Sequence, residues 1–133
     1  VDEAVEQARK LNEARLPFYT VIMYGIAGEG ESLKNALSTA GMINRFKTGK
    51  VITMNLVVFY GTELDGMVKR GEFTPPGAKE RLLEIRTLLE SLTPEDRMVF
   101  DTTHPTNIIK IFGTLPEDRQ SLLAEVVRHL DKA

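Results

Sequence analysis

Apolar positions recur along this chain with changing period, and the period divides it into segments. Over residues 2–16, Ala4, Ala8 and Leu11 recur at helical spacing. Asp2 can cap that helix, acidic residues fill its first turn, and Pro17 ends it. Residues 18–27, FYTVIMYGIA, are apolar on nearly every side. Such a run is buried whatever its conformation, and period alone does not divide it between helix and strand. After the Gly28-Glu29-Gly30 turn, Ser32 is placed to cap a helix running to about Phe46. Leu33, Ala36, Leu37, Ala40 and Ile43 form its apolar face.

The next apolar stretch begins at Val51 with a β-branched half. It continues with Val57, Gly61, Leu64, Met67 and Val68 at helical spacing. Gly71, following Lys69 and Arg70, is a good C-cap, so the spacing predicts one long or kinked helix from about 50 to 70. The segment EFTPPG, residues 72–77, reads as a Pro/Gly linker. A strong helical pattern follows, with Ala78, Leu82, Ile85, Leu89 and Leu92 on one face and Lys79, Glu80, Arg81, Glu84, Arg86 and Glu90 mostly on the other. The hexapeptides at 92–97 and 114–119 both read L-T-P-E-D-R or T-L-P-E-D-R and are expected to start helices. Residues 107–112 form a short apolar helix or strand ended by Gly113, and a last helix over 116–131 buries Leu122, Leu123, Val126, Val127 and Leu130.

The expected fold is therefore all-α: six or seven helices in one domain spanning 1–133. Its rival is an α/β fold with strands near 19–25, 51–59, 98–101 and 108–112.

Composition narrows the function classes. The 133 residues are 42% hydrophobic and 27% charged, as expected of a chain with a packed core. No apolar run approaches the roughly 20 residues a membrane helix needs. The net charge of -2 weighs against a dedicated nucleic-acid binder, since such domains are usually strongly basic. Without cysteine there is no disulfide, no Cys-ligated zinc and no thiol nucleophile. The two histidines are 25 positions apart, so no metal site is expected, and no motif calls for a cofactor. The acidic start lacks an apolar leader, which favours an intracellular compartment, and the missing initiator Met suggests processing or excision from a longer chain.

Three stretches carry candidate chemistry. Residues 25–32, GIAGEGES, have the G-x-x-x-x-G-x-S skeleton of a phosphate loop. Glu31 stands where such a loop needs Lys, and Glu29 adds a second negative charge, so a Gly-rich turn is the stronger reading. Arg45, Lys47 and Lys50 cluster around a basic turn that can contact an anion or nucleic acid. Asp101 and His104 fall within four residues of each other and form a candidate polar site for acid–base chemistry.

No nucleophile–base pair or intact nucleotide motif accompanies them, which tips the balance away from catalysis. The expected function is a non-catalytic protein-interaction or assembly module, self-associating or docked on a partner, through one of the runs 18–27 and 51–60. The alternatives are a nucleic-acid-associated helical subunit using the basic turn, and a small enzyme built around Asp101 and His104.

Overall fold

In the computed structural model, which describes residues 1–133, five helices accompany a four-stranded mixed sheet. The elements in chain order are α1 (Asp2–Glu13), β1 (Tyr19–Tyr24), α2 (Ser32–Ile43), β2 (Lys50–Asn55), α3 (Glu63–Lys69), α4 (Ala78–Ser91), β3 (Met98–Asp101), β4 (Phe112–Leu115) and α5 (Arg119–Asp131). The strands lie in sequence order, with β1, β2 and β3 parallel and β4 antiparallel to β3.

This overturns the all-α expectation. The ambiguous run 18–27 forms β1. The single helix expected from 50 to 70 is three pieces: β2, an irregular segment and the short α3. The break falls at Gly61, which adopts φ +80, and at Thr62, whose hydroxyl accepts the Asp65 N–H and starts α3. The fourth strand starts at Phe112, so Gly113 lies inside it and does not end an apolar element. Of the two L-T-P-E-D-R-like hexapeptides, only the second leads into a helix; the first is the bend before β3.

Parallel strands joined in sequence order by right-handed crossovers place their connecting helices on one face. The core follows that geometry. Tyr24 from β1, Val51 from β2, Met98 and Phe100 from β3 and Leu115 from β4 point into it. Opposite them lie Ala36, Ala40 and Ile43 of α2, Leu82, Ile85 and Leu89 of α4, and Leu122 and Val126 of α5. Leu33 and Leu37, expected on the buried face of α2, are 47% and 57% exposed, because small Ala36 and Ala40 make the close packing against α4. Arg119 ties α5 to α4 by donating to the carbonyls of Leu89 and, at 2.7 Å, Leu92. At the same end of the sheet, where β2 and β3 begin, Asn12 clamps α1 through paired bonds with the Lys47 carbonyl (2.8 Å) and N–H (2.9 Å).

Only Lys50, Val51 and Ile52 of β2 pair with β3. Beyond them, side chains of the β3–β4 loop replace the missing strand. The Thr106 hydroxyl accepts the Asn55 N–H at 3.0 Å, and the Asn107 amide donates to the Thr53 carbonyl at 2.7 Å. The buried strand end thus keeps its backbone groups satisfied.

Candidate functional site

Side chains alternate across a strand, so each strand that lines the core also builds an opposite surface. The three helices of the core, α2, α4 and α5, all lie on the other side of the sheet from that second surface. Register assigns its rows. Tyr19, Lys50, Val99 and Thr114 lie side by side across β1 to β4; Val21, Ile52, Asp101 and Phe112 form the next row; Met23 and Met54 begin a third. Tyr19 is 61% exposed, Val21 57% and Phe112 58%. Lys50 lies between two of these side chains, its Nζ 5.1 Å from the Tyr19 ring centre and 5.8 Å from that of Phe112. Both separations are within cation–π range. Asp101 is the only carboxylate in the two full rows. Its Oδ1 accepts the Thr103 N–H at 2.9 Å and the Thr103 hydroxyl at 2.6 Å. Partial burial pushes its pKa up, but the Thr103 bonds and the Lys50 charge outweigh that and hold it below the usual value.

A second polar assembly sits at the C-terminal ends of β1 and β2. Glu84 of α4 is only 2% exposed, whereas helical periodicity placed it on a charged outer face. Its Oε2 accepts the Gly25 N–H at 2.9 Å, and its Oε1 accepts from the Asn35 amide at 3.0 Å. Burial raises its pKa, against the lowering effects of those bonds and of Arg81. Arg81 donates to Asn55 Oδ1 at 3.2 Å and to the Leu56 carbonyl at 2.9 Å.

This assembly decides what the Gly25–Ser32 loop does. The loop links a strand to a helix N-terminus, as in a phosphate site. Yet Glu80 already supplies an anion there: its Oε1 accepts the Gly30 N–H at 2.7 Å and the Ser32 N–H at 3.3 Å. A carboxylate of the chain itself occupies the position a phosphate would take. Ser32 is the first helical residue, not the cap, and its buried hydroxyl has no hydrogen-bond partner.

The other sequence candidates separate in space. Arg45 and Lys47 line a cleft of about 400 Å³ between α1, the end of α2 and the bend before β3. Both are paired within the chain, Arg45 with Asp2 at 2.8 Å and Lys47 with Asp96 at 3.3 Å. Lys50 lies outside that cleft, on the open sheet face. Asp101 and His104 share no hydrogen bond: Asp101 is held by Thr103, and His104 Nδ1 lies 2.8 Å from the Thr106 hydroxyl. No group of His, Asp and Glu side chains is arranged to hold a metal ion. No helix is long and apolar enough to cross a membrane.

No family model matches the chain, and neither does any curated protein or solved structure.

Proposed function

We propose that the chain is a non-catalytic interaction module that docks a protein partner through the open face of its sheet. The observation that carries this reading is the exposure of Tyr19, Val21 and Phe112 on one continuous face, with Ile52, Met54 and Val99 between and beside them. Single exposed apolar side chains are ordinary, whereas a contiguous apolar patch marks a contact surface. Most of the face is apolar, and its one lysine is matched by one aspartate.

Val21→Lys tests the reading. Val21 is an exposed position on an edge strand, so the variant retains the core. Immobilised wild-type chain is expected to retain a protein partner that Val21→Lys loses, with the two melting temperatures alike. Equal retention by both would move the contact off this face. Lys50 between two aromatic rings favours a second reading, a stacking platform for single-stranded nucleic acid. That reading expects binding that weakens steeply with salt.

A further inference from the structure

We propose that the partner is a second copy of this chain, stacked face to face on the same open sheet surface about a two-fold axis. The proposal rests on the interaction reading above and adds the identity of the partner. Its ground is that the face is complementary to itself. An isologous contact requires each residue at one position to meet its counterpart's match at another. Lys50 and Asp101 supply such a pair. They sit on neighbouring strands, two residues out of step, because Lys50 pairs with Val99 and Ile52 with Asp101. Within the chain the two attract each other without forming a direct ion pair: Lys50 Nζ lies over the Tyr19 and Phe112 rings, and the Asp101 carboxylate is bonded only to Thr103.

The remaining positions agree with the arrangement this pair dictates. A two-fold axis placed so that Lys50 meets Asp101 of the second copy runs close to the Ile52–Val99 diagonal. Ile52 and Val99 then each meet their own equivalents. The same operation sets Phe112 beside Lys50 of the second copy, Tyr19 near its Met54, and Val21 close to its own equivalent. Aliphatic meets aliphatic and cation meets anion, all from one axis. The strands of the two sheets cross steeply, nearer the orthogonal class of sheet packing than the aligned one. At about 4.8 Å per strand and 3.3 Å per residue the face spans about 19 Å by 20 Å, on the order of 400 Å². A standard interface contributes about 800 Å² per partner, so this dimer belongs to the weak class and calls for micromolar to sub-millimolar concentrations.

Light scattering behind a sizing column, run across that concentration range, reads the mass. Wild type is expected to move from one chain mass toward two as concentration rises. Lys50→Asp leaves two acids on the face, and Asp101→Lys leaves two bases. Each alone is expected to dimerise about tenfold more weakly or less, and an equimolar mixture of the two is expected to pair again. A cysteine-free chain also allows a direct geometric probe. Ile52→Cys is expected to be joined into a covalent dimer by a short bis-maleimide that spans the roughly 10 Å between stacked sheets, whereas Lys79→Cys, on the outer side of α4, is not. Circular dichroism confirms that each variant is folded. A wild type that stays monomeric throughout overturns the second copy; if Val21-dependent retention of another protein persists, the interaction reading stands without it. A dimer unaffected by the charge reversals and by Val21→Lys overturns both. A monomer that shifts only on adding a single-stranded oligonucleotide, and loses the shift in high salt, assigns the face to nucleic acid instead.

Discussion

Glu84 shows how much one residue's surroundings decide. A buried carboxylate is tolerated because two donors, the Gly25 N–H and the Asn35 amide, meet its two oxygens. Glu84→Ala strands both donors in the interior and is expected to cost about 3 kcal/mol, read by urea denaturation. The pH dependence has a definite sign. Burial raises the folded-state pKa of Glu84 above its ordinary 4.5, so the folded chain holds that proton more tightly than the unfolded one. Its contribution is complete below that ordinary value and is lost as pH rises through the folded value. Asp101 behaves oppositely: its pKa is lowered from 3.8, so its contribution is present above 3.8 and is lost in acid. Stability measured from pH 4.5 upward is therefore expected to fall more steeply in wild type than in Glu84→Gln. Equal slopes would mean that Glu84 titrates as an ordinary carboxylate.

At the scale of elements, the two faces of one strand layer answer to different demands. Phe100 is 0% exposed and lies in the core, so Phe100→Ala is expected to cost about 3–5 kcal/mol. Val21 is 57% exposed on the opposite surface, and Val21→Thr is expected to stay within about 0.5 kcal/mol in the monomer. Dilute-solution denaturation of the two variants checks the contrast; a large loss in Val21→Thr would mean that the open face is covered within the chain.

The same two-sidedness explains what the sequence could reveal. The four segments of strand carry apolar residues on both surfaces, so FYTVIMY lacks the alternation that announces a half-buried strand. Val51, Ile52 and Thr53 did signal β structure, but Val57, Leu64 and Val68 extended a helical period backward over them. The legible correction was local: Gly61-Thr62 followed by Asp65 is a helix start, and it separates β2 from α3. The strong periods of α4 and α5 gave true helices because each buries one stripe. Glu80 and Glu84 were not legible as buried or capping groups, since their partners Gly30 and Gly25 lie 50 and 59 residues away in the chain and meet them only in the fold. The open face was equally hidden, because strand register, not spacing, brings Tyr19, Lys50 and Phe112 together.

For the molecule as a whole, the unequal sharing of burial predicts an ordered hierarchy of local opening. β2 is paired with β1 along its full length, with β3 over its first three residues and with loop side chains beyond them. Val51 and Thr53 are 0% exposed, so β2 opens only when much of the sheet does. α3 is the opposite case: none of its seven residues is buried, and exposed pairs such as Arg70–Glu63 contribute little. Amide hydrogen exchange is therefore expected to be slowest in Lys50–Asn55 and fastest among the helices in Glu63–Lys69. Gly66→Ala sharpens the test. An added Cβ there meets only the flexible end of Arg70, at 2.8 Å, which can move away. Alanine favours the helix by about 0.5–1 kcal/mol over glycine, so exchange in α3 is expected to slow by a few-fold while β2 is unchanged. If Gly66→Ala slowed β2 as well, α3 would open together with the sheet, and the separation between a rigid layered core and a loosely held α3 would fail. With that separation intact, contacts made on the open sheet face draw on the rigid part of the molecule, where Tyr19, Lys50, Asp101 and Phe112 are held in register before any partner arrives.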